Sequence, residues 1–303
     1  MGVQARVVVY ARDAAEADRA IALAFHRLDE LEQVMSDYRP DSELMRLCAR
    51  AGSGPISVSP DLRLVLGSAR AIALATDGAF DPTLGPLTAL WREARRTLQP
   101  TDPSALDSAR ARTGWRHVAI DSEAQTVALA IPGMKLDLGG IGKGRGAHAA
   151  RAVMDAFHVP CAMVALGGDI ALGDAPPGTT GWRIAIDGAG RALTLANTCI
   201  STSGDTEQFI EIDGVRYSHI LDPGTGLGLT RRIQATVIAP DGATADALAT
   251  ALCVLGRERT VETLADFPGV EALLIERTPD GTVEFRSPGF PPTSTPPPAH
   301  RTP

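Results

Sequence analysis

Apolar residues recur at helical intervals between Ala14 and Met35, where Ala17, Ile21, Ala24, Phe25, Leu28, Leu31 and Met35 share one face, and this spacing predicts an amphipathic helix. The β-branched run at 3–10 predicts a strand before it. Ser59-Pro60 supplies an N-cap and a proline at the first helical position, so a second helix runs to about Thr76 and stops at Asp77-Gly78. Shorter helical patterns at Leu84–Arg95 and Pro103–Thr113 lead into strand-like runs at Arg116–Ile120, Thr126–Ile131 and Lys135–Leu138. A glycine cluster at 139–146 follows, and then a helix at Ala147–Phe157.

From Cys161 to Ile238 the pattern changes to short β-rich runs broken by Gly, Asp and Pro, among them Met163–Leu166, Trp182–Ile186, Phe209–Ile212 and Tyr217–Leu221. A strand at Ile233–Ala239, a helix at Thr244–Leu255 and strands at Val270–Ile275 and Val283–Phe285 close the pattern. The expected class is α+β, with mixed sheets and packed helices around one central cleft. Residues 288–303 hold seven prolines and little to bury, so the expected domain spans 1–287 and the rest is a Pro-rich disordered tail.

Composition narrows the function. With 44% hydrophobic and 21% charged residues the chain is that of a globular protein, and aromatics at 4% leave a mostly aliphatic core. A net charge of -7 with no Lys/Arg-rich window argues against a nucleic-acid partner. Cys48, Cys161, Cys199 and Cys253 stand far apart without a CxxC pair, which points to buried thiols and away from zinc or redox motifs. No apolar run approaches a transmembrane span, and the N-terminus shows no export signal, so the chain as it stands reads as cytoplasmic.

Several stretches carry candidate chemistry. Lys135-Leu-Asp-Leu-Gly-Gly-Ile-Gly-Lys-Gly-Arg-Gly146 delivers an aspartate, then glycines and Lys143, then a helix, a turn that can aim N–H groups at an anion. It fits neither the Walker nor the dinucleotide-fold spacing, and taken alone it also suits a tight turn with a surface lysine. Asp246 and Thr250, four apart, put two oxygens on one helix face, as a hard cation requires; alone, they also suit a first-turn charge and a solvated hydroxyl. His219 in Tyr217-Ser-His-Ile-Leu-Asp-Pro-Gly-Thr-Gly226 can act as a general base or serve as a satisfied structural residue at a strand end. Thr76-Asp-Gly-Ala-Phe-Asp-Pro-Thr83 and Val34-Met-Ser-Asp-Tyr38 are, each by itself, polar turns after helices.

In order and spacing these stretches resemble the FAD:protein FMN transferase family, ApbE. The resemblance runs through Met35-Ser36-Asp37-Tyr38 with Asp41-Ser42-Glu43-Leu44, Gly78 to Thr83, Asp137 to Gly144, Leu166-Gly-Gly-Asp169, Ser201-Thr-Ser-Gly-Asp205, His219 to Gly226 and Asp246 to Thr250, and it covers residues 1 to about 286. Departures from the family pattern are Cys48 for a common Asn, His148 for a common Asp, Thr206 for a common aromatic residue and Gly224 for a common basic one.

The resemblance implies a flavin transferase that moves FMN from FAD to a Ser/Thr hydroxyl of an acceptor protein, a flavoprotein or redox-complex subunit, and releases AMP. It assigns Mg²⁺ to Asp246, Thr250 and the Gly140 carbonyl, and catalysis to His219 as base and Lys143 on the phosphates. Met35, Ala79, Phe80, Asp81, Asp137, Lys143 and Ile220 are assigned to the FAD cleft. Two alternatives stay open: a metal-dependent FAD pyrophosphatase giving FMN and AMP, and a flavin-binding protein without turnover. Because such relatives are frequently exported, the resemblance also implies an extracytoplasmic site if a leader has been lost or removed.

Overall fold

Asp13 starts the first long helix. Its carboxylate accepts the Glu16 N–H at 2.8 Å, and the helix then buries Ala20, Ala24, Leu28, Leu31 and Met35 on one stripe. The computed structural model describes residues 3–186, 188–204 and 209–294. Along the chain come β1 (Ala5–Val9), α1 (Ala14–Met35), α2 (Glu43–Ala49), β2 (Ile56–Ser57), α3 (Pro60–Ala75), α4 (Gly85–Thr97) and α5 (Pro103–Arg110). After a 3-10 turn at Trp115–His117 follow β3 (Val118–Asp121), β4 (Thr126–Leu129), α6 (Gly142–Ala156), β5 (Ala162–Leu166), β6 (Asp169–Leu172), β7 (Trp182–Ile186) and β8 (Arg191–Leu195). The last elements are β9 (Thr198–Gly204), β10 (Phe209–Ile212), β11 (Val215–Ser218), β12 (Arg232–Ala239), α7 (Gly242–Ala265), β13 (Glu271–Thr278) and β14 (Gly281–Arg286).

The central sheet runs β1-β5-β6-β9-β12-β13-β14, and its neighbouring strands pair antiparallel. Side chains alternate across it with the two-residue period of a strand. Val164, Ala171, Cys199, Ala235, Val237, Ala272 and Leu274 join the main core, which α1, α6 and α7 cover. Met163, Leu172, Ile200, Ile238 and Leu273 point to the opposite face and form a second core under the β7–β8 hairpin. A third cluster joins α4 and α5 to the β10–β11 hairpin through Leu87, Trp91, Ala109 and Ile210. The α+β expectation is met by these helices and antiparallel sheets. No helix among the described residues is long and apolar enough to cross a membrane.

The differences from the sequence pattern are local and have causes. Helix α6 begins at Gly142, not after the glycine cluster, so Gly142, Gly144 and Gly146 lie inside it. Gly144 is there because α7 crosses at that point: a Cβ would overlap the Gly242 carbonyl oxygen and come within 2.7 Å of the Asp246 Cβ. Lys135–Leu138 is no strand; it is tied by an isolated parallel bridge from Lys135 to Leu84 and by the Asp137 N–H donating to the Pro82 carbonyl at 2.8 Å. Strand β11 stops at Ser218, which leaves His219 in the bend that follows. Of the cysteines, Cys48, Cys199 and Cys253 are buried as expected, while Cys161 is half-buried.

The expected free tail also changes. Phe290 is 6% exposed within the second core, and Ser294 exchanges two backbone hydrogen bonds with Ala192, both 2.8 Å. Residues 288–294 are therefore docked, because one aromatic ring finds a preformed apolar surface under the β7–β8 hairpin. Residues 295–303 lie outside the described residues, as does Thr206.

Candidate functional site

The sheet register assembles the site. On the helix side of β6 and β9, Asp169 stands directly across from Ser201, and the Ser201 hydroxyl donates to Asp169 Oδ1 at 2.5 Å. The turn that delivers Asp169 needs Gly167, whose φ of +62° lies in the left-handed region. Two residues beyond Ser201 on the same face, the Ser203 hydroxyl meets Thr250 Oγ1 at 3.2 Å. Asp246 and Thr250 come from the first turns of α7, whose start is fixed by Asp241 accepting the Thr244 N–H at 2.9 Å.

Lys143, in the first turn of α6, closes the group. Its ammonium donates to the Gly139 carbonyl at 3.0 Å and pairs with Asp169 Oδ2 at 2.9 Å. It also reaches Asp246 Oδ1 and Oδ2 at 3.3 and 3.4 Å. The Gly144 N–H donates to Asp246 Oδ2 at 2.9 Å, so the N-terminus of α6 contributes as well. Burial and the neighbouring Asp169 charge push the Asp246 carboxyl up to about 7 against the opposing Lys143. Burial works against the Lys143 charge, but Asp246 and Asp169 outweigh it and hold its pKa above the ordinary lysine range. Asp246 is 1% exposed, whereas the Lys143 side chain keeps 27% of its surface open.

Gly140 lies against this group: a Cβ there would stand 3.2 Å from Thr250 Oγ1 and 3.4 Å from the Phe80 ring. A carboxylate, a hydroxyl and a neighbouring main-chain carbonyl are hard oxygen donors, the set that suits Mg²⁺. The Lys143 ammonium shows that Asp246 already accepts a cation. Among the described residues no cluster of three or more His, Cys, Asp or Glu side chains is arranged for a metal.

A second polar group borders the first. Arg92 from α4 pairs with Asp37 at 2.6 Å, stands 3.7 Å from Asp137 and lies 4.5 Å over the Tyr38 ring. Asp137 Oδ1 accepts the Gly139 N–H at 2.8 Å, linking this group to the glycine turn. Burial, then the Asp137 charge, raises the Asp37 pKa. Asp81 accepts from the Thr83 N–H and hydroxyl at 2.7 and 2.6 Å and from the Trp115 N–H at 3.1 Å, and burial raises its pKa. With Gly78, Trp115, Pro223 and Gly224 it lines a cleft of about 280 Å³.

The structure thus brings together Lys143, Asp246, Thr250, Gly140 and Phe80, and joins Asp137 through Gly139. Met35, Ala79 and Ile220 are buried in the main core. His219 is exposed after β11. Its loop is held by the Trp91 indole donating to the Gly226 carbonyl and by Arg110 donating to the Gly224 carbonyl, both 2.9 Å. Cys48 turns inward, accepting the Leu136 N–H at 3.3 Å, and His148 Nδ1 accepts the Gly242 N–H at 3.2 Å. Sequence reasoning gave Asp169 and Ser201 no role and missed Arg92 and Ser203; the Leu166-Gly-Gly-Asp169 and Ser201-Thr-Ser203 runs were the available signal.

Known proteins resemble this chain in sequence and in fold. The ApbE family model matches residues 1–274. An FAD:protein FMN transferase of Vibrio cholerae is 37% identical over 276 residues, covering 88% of this chain and 81% of that protein. One of Treponema pallidum is 38% identical over 297 residues, covering 91% and 82%. Among solved structures, a mutant of the flavin transferase ApbE from Vibrio cholerae superposes with a TM-score of 0.87 at 34% identity, covering 96% of this chain and 95% of that one. The ApbE protein of Thermotoga maritima gives 0.84 at 30% identity, with 95% of each chain covered.

Proposed function

The chain belongs to the ApbE family, and from that premise we propose that it is a flavin transferase moving FMN from FAD to a Ser/Thr hydroxyl of an acceptor protein. In the reaction the acceptor oxygen forms a bond to the phosphorus on the FMN side, the bond from that phosphorus to the bridging oxygen breaks, and AMP leaves with that oxygen. The hydroxyl proton goes to a base. The observation that supports this reading best is the convergence of Lys143 and the Gly144 N–H on buried Asp246, beside Thr250 and Gly140.

Asp246, Thr250 and the Gly140 carbonyl would hold Mg²⁺. When bound, the cation neutralises charge on the pyrophosphate oxygens and on the departing phosphate. Lys143, whose side chain is partly open, steadies phosphate oxygens. His219, exposed at its bend, takes the proton of an acceptor hydroxyl brought to it by docking. Met35, Ala79, Phe80, Asp81, Asp137 and Ile220 border the FAD, the apolar members offering a pre-packed wall and the aspartates fixed acceptors.

The test incubates the protein with FAD, Mg²⁺ and a purified acceptor domain and looks for protein-bound flavin fluorescence on a denaturing gel. Transfer by the wild type and its loss in Asp246→Ala, with FAD binding weakened less, is the expected result. Transfer by Asp246→Ala at near wild-type rate removes the metal assignment. Release of free FMN with no labelled acceptor favours hydrolysis over transfer.

A further inference from the structure

We propose that Asp169, braced by Ser201, is a positioning residue that retains the Lys143 ammonium when a divalent cation takes over Asp246. The inference rests on the metal assignment made above and concerns how this chain prepares the site for it.

An ammonium has three N–H donors. Two of those on Lys143 are spent at ordinary length, on the Gly139 carbonyl at 3.0 Å and on Asp169 Oδ2 at 2.9 Å. The third is divided between the two Asp246 oxygens at 3.3 and 3.4 Å and is the weakest of the set. Two cations close together on one carboxylate repel, so the partner that Lys143 gives up first is Asp246. What keeps the side chain in place is then Asp169, which is 3% exposed and cannot swing away. Its other oxygen is fixed by the Ser201 hydroxyl at 2.5 Å, a bond that the β6–β9 register itself imposes.

Asp246 remains oriented after the exchange because the Gly144 N–H holds Oδ2 from the start of α6. Lys143 therefore serves as an internal counter-ion for two buried carboxylates before loading, and afterwards as a fixed donor to the substrate side. Without Asp169 the ammonium has only Asp246 and the Gly139 carbonyl to turn to, and it competes with the incoming metal. Asp169 acts through Lys143, so its removal matters only while Lys143 is present.

The experiment measures Mn²⁺ binding, as a probe for the Mg²⁺ site, by the EPR signal of free Mn²⁺ on the full chain without FAD. Asp169→Asn is expected to weaken binding by about tenfold, the scale of one hydrogen bond between charged groups. Ser201→Ala removes no charge and is expected to weaken binding by about threefold, the smaller effect of losing a bracing hydrogen bond. In a Lys143→Met background both substitutions are expected to change the affinity less than about twofold, as a double-mutant cycle requires of residues acting through a shared partner. Equal losses in both backgrounds would mean that Asp169 binds the metal or acts by its charge alone, and would overturn the proposal. An unchanged Ser201→Ala affinity in the wild-type background counts against it independently of whether the other variants fold. Failure of the wild type to bind Mn²⁺ removes the metal assignment itself, and this inference with it.

Discussion

Substituting Phe290 by alanine tests whether the chain after Ser287 belongs to the fold. The ring is 6% exposed in the cluster that includes Trp182, Ile184, Leu193, Leu195 and Leu273, and Arg286 lies 5.8 Å from its centroid. Emptying a rigid core site of a phenylalanine costs about 3–5 kcal/mol. Here the segment can undock, which limits the loss to the free energy of docking. Burial of the ring stabilises by about 1.5–3 kcal/mol, and the two Ser294–Ala192 hydrogen bonds add about 0.5–1.5 kcal/mol each. Against this, ordering the non-proline residues Gly289, Phe290, Thr293 and Ser294 costs about 1–2 kcal/mol of backbone entropy apiece. Gains of about 2.5–6 kcal/mol against costs of about 4–8 kcal/mol leave docking worth at most about 2 kcal/mol. At about 2 °C per kcal/mol for a chain of this size, Phe290→Ala and truncation after Ser287 should each lower the thermal midpoint by about 2–4 °C.

The two variants should also agree with each other, because either one undocks the same segment. Flavin transfer at 25 °C should be unchanged, since the second core lies on the sheet face opposite the Lys143–Asp246 group. Differential scanning fluorimetry beside the gel assay separates the two outcomes. Midpoints equal to wild type would refute the reasoning and make the segment a free extension. A loss of transfer at permissive temperature would refute it in the other direction.

Three further outcomes follow from the geometry. Gly144→Ala drives a Cβ into the Gly242 carbonyl and toward Asp246; it should cost about 1–3 kcal/mol or more through overpacking and weaken Mn²⁺ binding, checked by denaturant unfolding and EPR. His219→Ala should leave FAD affinity near wild type and slow transfer by about two to four orders of magnitude, the usual span for general acid–base help, read from single-turnover labelling beside an FAD titration. Burial lowers the His148 pKa below its usual 6.5, with Arg151 and Arg145 acting in the same direction and Asp241 and Asp155 opposing. The unfolded chain therefore binds the proton more readily, and stability should fall as pH drops from 6.5 through the lower folded pKa, because a protonated Nδ1 can no longer accept the Gly242 N–H. Thermal midpoints at pH 7.5 and 5.5 should differ more for the wild type than for His148→Asn.

Local pattern was enough for the elements whose reasons are local. The α1 stripe and the Ser59 cap of α3 repeat every few residues or act within one turn, and the sequence displays both directly. Lys143, Asp246, Thr250 and His219 stand out in the sequence because each lies in a run whose order resembles a known family. Glycine at 142–146 read as a loop because glycine usually marks one; its actual reason is the crossing of α6 and α7, a contact between residues about a hundred positions apart. Asp169 and Ser201 are neighbours only through strand register, and Arg92 on α4 meets Asp37, just past the end of α1, only through the tertiary fold. Phe290 has no periodic partner in its own segment, so only the apolar surface under the β7–β8 hairpin decides its burial. Sequence periodicity records which side of an element is apolar, whereas the meeting of two polar groups depends on which elements lie beside each other, and that is decided when the layers pack.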